Sequence, residues 1–129
     1  MNKHLSRTLV TAATAVAAVS LAVAPATAKT TALRTPNNLA GVEYISETDT
    51  FRLWDNRADD TNATRVVWKK VNSSLTGTLW HRWQSGNNGQ SSNQKPSTGM
   101  KSGDQFTFQV CSLNGSQVLE CSGWGTAWY

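Results

Sequence analysis

His81 invites a catalytic interpretation, because the only other histidine, His4, lies near the N-terminus. Nucleophilic catalysis would require a serine or cysteine that His81 activates, together with an orienting acid. Serines are frequent, but the sequence contains no Gly-x-Ser-x-Gly segment. His81 also alternates with Leu79 and Trp83 in a strand-like pattern. We therefore expect a hydrogen-bonded or half-buried structural histidine, and we expect that the protein is not an enzyme.

The densest group of carboxylate and amide side chains consists of Asp55, Asn56, Asp59 and Asp60. Calcium takes six to eight oxygen ligands, which such a segment could supply in part. The spacing matches no EF-hand loop, however, and short Asp/Asn runs are typical of turns. A pair of carboxylates for glycoside hydrolysis is equally conceivable from sequence, but so small a β-domain rarely encloses a deep cleft. We expect no metal and no cofactor.

The chain has two cysteines, Cys111 and Cys121, which are too few to form a zinc site with one nearby histidine. In an exported protein the default expectation for such a pair is a disulfide. A bridge over this separation would stabilise the fold by roughly 2.5–3 kcal/mol through loop-closure entropy.

The six tryptophans are the most distinctive feature of the composition. Each indole can bury on the order of 200 Å². They could complete a core that is short of aliphatic residues, or some could form a surface platform for a ligand, and composition does not separate the two uses. They are Trp54, Trp68, Trp80, Trp83, Trp124 and Trp128.

The segment that begins at Trp80 is the best surface candidate. On a strand, Trp80 and Arg82 share one face and Trp83 lies on the other, so one indole should be buried and one more exposed. Trp128 and Tyr129, at the C-terminal end, could extend the same surface. Trp80, Arg82, Trp128 and Tyr129 are therefore the predicted binding residues. The alternative is that Trp80 packs beneath the polar segment 84–103.

Short runs rich in Val, Thr, Phe and Trp, separated by Gly, Asn, Asp and Ser, predict strands throughout. Residues 84–103 are too long for a structureless loop in a small domain, so this segment either is functional or contains an edge strand. The predicted strands cover 42–45, 50–54, 64–71, 76–84, 105–113 and 118–128, the last interrupted at Gly123 and Gly125.

Asn114-Gly115 is typical of a two-residue hairpin turn. Its register, however, does not place Cys111 opposite Cys121. Opposed cysteines require a loop centred on Ser116, which predicts a loop of three or five residues with Gly115 in the left-handed region.

The N-terminus has the organisation of a secretory signal peptide. Basic residues precede an apolar, Ala-rich stretch, and Ala26-Thr27-Ala28 supplies a small-x-small cleavage pattern. We expect 1–28 to be a signal peptide, 29–39 a disordered leader and 40–129 the folded domain. Removal of Lys3 and Arg7 lowers the basic count from 12 to 10 against 8 acids and leaves a net charge of +2. This small charge gives no reason to expect nucleic acid or a membrane as a partner after cleavage.

The segment FTFQVCSLNGSQVLECSGW, residues 106–124, resembles the last two strands of fibronectin type III and related immunoglobulin-like domains. Trp68, in TRVVWKKV, is similar to the core tryptophan of the second strand in that family. The resemblance implies an all-β, immunoglobulin- or fibronectin-like sandwich of six or seven antiparallel strands, here with one disulfide. The chain also resembles small exported bacterial proteins of unknown function that carry a turn like 55–59. Neither resemblance supplies an activity.

These observations predict a secreted, extracellular, non-enzymatic binding module whose partner is a protein or a polysaccharide. The alternative is a small secreted inhibitor or toxin that acts on a foreign enzyme. An inhibitor would present an exposed loop, and 84–103 with Lys95-Pro96 or Lys101 could serve. The sequence leaves the oligomeric state open.

Overall fold

The computed structural model describes residues 30–57, 62–82, 91–96 and 99–129. These ranges contain nine strands and no helix, and so no helix that could span a membrane. The strands are β1 (Thr30–Arg34), β2 (Ala40–Ile45), β3 (Thr50–Asp55), β4 (Asn62–Lys70), β5 (Thr76–Arg82), β6 (Ser91–Gln94), β7 (Gln105–Asn114), β8 (Gln117–Cys121) and β9 (Gly125–Trp128).

The strands form two antiparallel sheets that share one core. The first sheet has the order β1-β2-β3-β6. The second has the order β5-β4-β7, and both β8 and β9 pair with the far side of β7. Because β8 pairs with the end of β7 and β9 with its beginning, the predicted last strand is divided in two at the glycines. This division, together with β1, raises the number of strands above the expected six or seven.

Alternating side chains from both sheets meet in the core, as the strand pattern requires. An aromatic cluster of Tyr44, Phe51, Phe106 and Phe108 lies at its centre, with ring centroids between 4.8 and 5.8 Å apart. All four side chains are fully buried. These rings supply the apolar area that the sparse aliphatic residues cannot.

Trp68 is the largest fully buried side chain, and a glycine makes room for it. Gly77 lies opposite Trp68 on the neighbouring strand β5. A Cβ atom at Gly77 would lie 2.4 Å from the indole ring, so only glycine fits beneath it. Trp68 is therefore a core tryptophan, and it lies within the strand that the sequence predicted at 64–71.

The prediction of a disordered leader at 29–39 is wrong for residues 30–34, which form the edge strand β1. Its register places Leu33 opposite Val42, and Leu33 packs against the core. On the outer side, the Arg34 guanidinium lies 5.2 Å from the centroid of the Trp54 ring. The sequence of β1 shows no apolar alternation, because threonine, alanine and arginine surround its single leucine, which faces inward. The predicted signal peptide, 1–28, lies outside the described residues.

The segment 84–103 does contain an edge strand. β6, Ser91–Gln94, pairs with β3 and completes the first sheet. No apolar alternation marks these four residues, so only the length of the segment indicated a strand.

Cys111 and Cys121 lie opposite each other and form the predicted disulfide, with Cα atoms 4.0 Å apart. Gly115 is in the left-handed region at φ 59°, also as predicted. The predicted loop length is wrong, because the turn contains only Gly115 and Ser116. A β-bulge next to Leu119 shifts the register by one residue and so brings the cysteines together.

Glu120 of the second sheet forms hydrogen bonds with the turn between β1 and β2 of the first sheet. Its carboxylate accepts hydrogen bonds from the Asn37 side chain at 2.8 Å, from the Asn37 backbone at 3.2 Å and from the Leu39 backbone at 3.4 Å. Burial raises the pKa of Glu120, but hydrogen bonds from Thr35, Asn37 and Leu39 outweigh that effect and hold the pKa below its ordinary value.

Candidate functional site

The alternation along β4 separates a core side from a solvent side. Val66 and Trp68 point inward and are fully buried, whereas Arg65 and Lys69 point outward. On β5, Leu79 and His81 are buried, while Trp80 and Arg82 are exposed on the same outer side. The register sets Arg65 directly opposite Trp80, so a cation and an indole are neighbours on the outer face.

Three tryptophans are exposed on this outer face. Trp80 is 44% exposed, Trp124 is 47% exposed and Trp128 is 49% exposed. Trp80 lies on β5, Trp124 just before β9 and Trp128 on β9, next to Gln105 of β7. We call the surface formed by these tryptophans and the cations beside them the indole face; its residues are Arg65, Lys69, Trp80, Arg82, Trp124 and Trp128.

Two of the cations contact the indoles directly. The Arg65 guanidinium lies 5.7 Å from the centroid of the Trp80 ring, and Lys69 Nζ lies 5.0 Å from that of Trp124. Both distances are within the range of cation–π attraction. Each cation restricts the orientation of its ring while about half of the indole surface stays open to solvent.

The sheet geometry sets the span of the indole face. Trp80 and Trp128 are separated by three strand spacings and by six residues along β7, which corresponds to roughly 25 Å on the diagonal. Trp124 lies between them, because Lys69, which it contacts, is opposite Thr107. The three indoles thus lie on one sheet face between β5 and β9.

The surface between the indoles is polar and carries no negative charge. Among the described residues of this face, Val67 is the one aliphatic side chain between the indoles, and there is no aspartate or glutamate. The hydroxyl and amide side chains in this region belong to Thr76, Thr78, Thr107, Gln109 and Thr126.

Three of the four predicted binding residues lie on the indole face: Trp80, Arg82 and Trp128. The fourth, Tyr129, is half-buried and packs against the core. Its backbone N–H donates to the Asp104 carbonyl at 2.8 Å, which fixes the C-terminal residue to the start of β7. Trp83, expected on the opposite face from Trp80, lies outside the described residues.

Trp124, Arg65 and Lys69 also belong to this surface, although the sequence did not predict them there. The strand pattern could have indicated that Arg65 and Lys69 point outward, because both alternate with the buried Trp68 along β4. For Trp124 there was no local signal, since its place on the face depends on how the chain turns at Gly123 and Gly125 before β9.

His81 is hydrogen-bonded, as predicted, and it is buried. Its ring is 7% exposed, and Nδ1 lies 3.0 Å from the Ser92 hydroxyl of β6. Gln94 Nε2, also on β6, donates to the Trp80 carbonyl. These contacts join β5 of the second sheet to β6 of the first along one side of the sandwich.

The predicted acidic turn is only partly described. Asp55 is buried, and its Oδ1 accepts the Arg57 N–H at 2.9 Å, whereas Asp59 and Asp60 lie outside the described residues. Where the chain is described, no three His, Cys, Asp or Glu side chains come together as metal ligands.

The segment considered for inhibition is largely anchored where it is described. Lys95 is exposed, but Pro96, directly after it, is buried. The Lys101 N–H donates to Asp104 Oδ2 at 2.8 Å, and Asp104 forms an ion pair with Lys70 at the same distance.

Comparison with known proteins yields no relative: no family model, no curated protein and no solved structure matches the chain.

Proposed function

We propose that the chain is an exported, non-enzymatic binding module that holds a polysaccharide on its indole face. One observation carries the proposal: three half-exposed tryptophans lie on the same sheet face, while the core is filled by other aromatic residues. The folded domain does not need these three rings for its interior. Exposed indoles at this density are typical of a surface that contacts a ligand.

The length of the face favours an extended ligand. Indoles stack on the apolar faces of sugar rings, and a diagonal of roughly 25 Å would contact several consecutive sugars. The threonines and glutamines between the rings can bond to sugar hydroxyls. A compact small molecule would instead require a concave pocket.

We infer that the sandwich is of the immunoglobulin or fibronectin type. With β1 set aside, β2-β3-β6 faces β5-β4-β7-β8, so that β4 and β7 are central in a four-stranded sheet. A fully buried tryptophan on β4 fits a hallmark of immunoglobulin domains. The disulfide departs from the antibody pattern, because it joins neighbouring strands of one sheet.

The proposal of export rests on the signal-peptide pattern of 1–28 and is compatible with the disulfide. Domains of this sandwich type are common at cell surfaces and outside cells.

The test is binding of the oxidised protein to a panel of immobilised neutral and acidic polysaccharides. The triple variant Trp80→Ala/Trp124→Ala/Trp128→Ala removes the exposed indoles and leaves the core aromatic residues in place. We expect binding to at least one polysaccharide and a loss of at least about 100-fold in the triple variant.

The matched control is Trp54→Ala, which removes an indole from the outer face of the opposite sheet. It should leave the affinity unchanged once circular dichroism has verified that the variant is folded. Equal affinity of the triple variant and the unmodified protein would contradict the proposal, as would binding to no polysaccharide in the panel.

A further inference from the structure

We propose that the polysaccharide bound by the indole face is anionic, with carboxylate or sulfate groups along the chain. The inference rests on the proposed function and adds the chemical class of the ligand. It follows from the distribution of charge over the two outer faces of the sandwich rather than from the net charge of the protein.

The described part of the indole face carries cations without acidic neighbours. Arg65, Lys69 and Arg82 point outward from β4 and β5, and the described part of this face has no acidic side chain. An ion pair is formed instead by the next residue on β4, Lys70, whose Nζ lies 2.8 Å from Asp104. The cations of the indole face thus remain available to an external anion.

The outer face of the first sheet has a different balance of charge. There, Arg52 of β3 lies directly across from Glu43 of β2, so a basic side chain is matched by an acidic one in the register. The opposite face also carries Arg34, which lies beside Trp54 and has no acid opposite it. The excess of positive charge is nevertheless larger on the indole face, where Arg65, Lys69 and Arg82 have no acidic neighbour among the described residues.

The cations are placed where an anionic sugar would need them. Lys69 Nζ lies over the Trp124 ring, 5.0 Å from the indole centroid, and the side chain is exposed, so its flexible stem can turn to an anionic group on a pyranose ring that stacks on the open side of Trp124. Arg65 has the same relation to Trp80 at 5.7 Å. Each indole–cation pair can thus bind the apolar face of a sugar and its carboxylate or sulfate together.

The same arrangement argues against an acidic protein as the partner. Cores of protein interfaces are contiguous, apolar and depleted in charge. On the indole face, threonine, glutamine and cationic side chains separate the tryptophans, and Val67 adds aliphatic surface between them. The exposed Val118 and Leu119 lie on β8, beside the other end of β7 from Trp128. A chain of repeating polar units with charged substituents fits this pattern better than a folded protein surface does.

The test compares probes that differ in charge alone. Isothermal titration calorimetry of the oxidised protein is carried out with polygalacturonate and with its methyl ester, and with carboxymethyl cellulose and hydroxyethyl cellulose. Poly-L-glutamate serves as an acidic polypeptide. We expect at least about tenfold tighter binding to the anionic member of one pair, weakened by added salt because the charges are exposed.

The variants separate the contributions. Lys69→Gln and Arg65→Gln should each weaken binding to the anionic probe about three- to tenfold and leave binding to the neutral probe unchanged. Trp124→Ala should weaken binding to both. The matched control is Arg52→Gln, which removes an exposed cation from the opposite face and should have no effect.

Two outcomes would contradict the inference of an anionic ligand without contradicting the proposed function. Equal binding to the neutral and anionic members, unchanged in Lys69→Gln, would leave a binding module for neutral polysaccharides. Binding to poly-L-glutamate as tight as to polygalacturonate, with no loss in Trp124→Ala, would indicate attraction of any polyanion or an acidic protein. Binding to none of the polysaccharides would contradict the proposed function as well.

Discussion

At the scale of single residues, Trp68 and Gly77 form a close fit within the core. The Trp68 indole fills the space that a side chain at position 77 would occupy on the neighbouring strand. A change at either residue therefore affects the packing of the other. Such a contact leaves no room for relaxation, because the ring is fully buried and surrounded by other core residues.

Gly77→Ala should therefore destabilise the protein by about 1–3 kcal/mol through overpacking, measured as the free energy of unfolding in urea. Gly123→Ala is the matched control, because a Cβ there meets nothing within 4 Å and φ is not positive. It should change the free energy by less than about 0.5 kcal/mol. Equal effects of the two substitutions would contradict the proposed fit.

Glu120→Gln should lower the urea midpoint at pH 7, because the variant loses charge-assisted hydrogen bonds to the β1–β2 turn. The folded-state pKa of Glu120 lies below its ordinary value of 4.5. Its contribution is thus complete above that pH and is lost as the pH falls through the folded-state pKa. The difference between the two proteins should shrink in acid.

Urea midpoints at pH 7, 5 and 3 test this expectation. The control is Glu47→Gln, an exposed residue of the β2–β3 turn, which should leave the midpoint unchanged at each pH. A Glu120→Gln difference that is as large at pH 3 as at pH 7 would show that the carboxylate charge is not involved.

At the scale of elements, β7 organises the second sheet. It pairs with β4 along one side and with both β8 and β9 along the other. Its register with β8 depends on the bulge near Leu119 and on the disulfide between Cys111 and Cys121. The disulfide therefore stabilises a short strand that has a pairing partner on one side only.

The double variant Cys111→Ala/Cys121→Ala should lose about 2–3 kcal/mol of unfolding free energy, the loop-closure entropy for the 10-residue separation. Reduction of the unmodified protein should produce a similar loss, whereas a reducing agent should leave the double variant unchanged. A difference below about 0.5 kcal/mol would mean that strand pairing alone fixes β8.

The edge strand β1 has one residue that connects the sheets. A Cβ at Gly125 of β9 would lie 3.0 Å from the Leu33 side chain, so Leu33 covers β9 from the opposite sheet. Leu33→Ala should lower the free energy of unfolding by about 1–2 kcal/mol, less than for a fully buried leucine because Leu33 is partly exposed. Thr30→Ala, at an exposed position of the same strand, should have no measurable effect in the same urea titration.

At the scale of the whole molecule, the sandwich separates two populations of tryptophan. Trp68 is fully buried in the core, whereas Trp80, Trp124 and Trp128 are half-exposed on the indole face. A domain with few aliphatic residues can thus use aromatic rings both to fill its interior and to form a surface.

The fluorescence of the oxidised protein should report this division. The triple variant Trp80→Ala/Trp124→Ala/Trp128→Ala should emit at a shorter wavelength and be quenched less by acrylamide than the unmodified protein, because exposed indoles have been removed. Trp68→Phe should change the quenching in the opposite direction if the variant stays folded. Unchanged quenching in the triple variant would contradict the exposure of these rings.

Much of the fold could be predicted because strand alternation is a local property. The pattern around Phe106 and Phe108 specified both a strand and its inward face, and the same reasoning placed Trp80 outward from β5. β1 and β6 were harder to recognise. Thr30–Arg34 has one inward leucine, and Ser91–Gln94 has no apolar residue, so backbone pairing rather than pattern defines them.

The sequence by itself indicated most of the strands and the side to which their residues point, because a period of two is encoded in consecutive residues. The cysteines lie opposite each other through a bulge near Leu119 that the sequence did not predict. Only the tertiary structure decided which outward residues become neighbours. Arg65 meets Trp80, and Lys69 meets Trp124, through pairings between distant segments of the chain. The indole face is thus a product of strand order, which depends on long-range contacts that no local pattern contains.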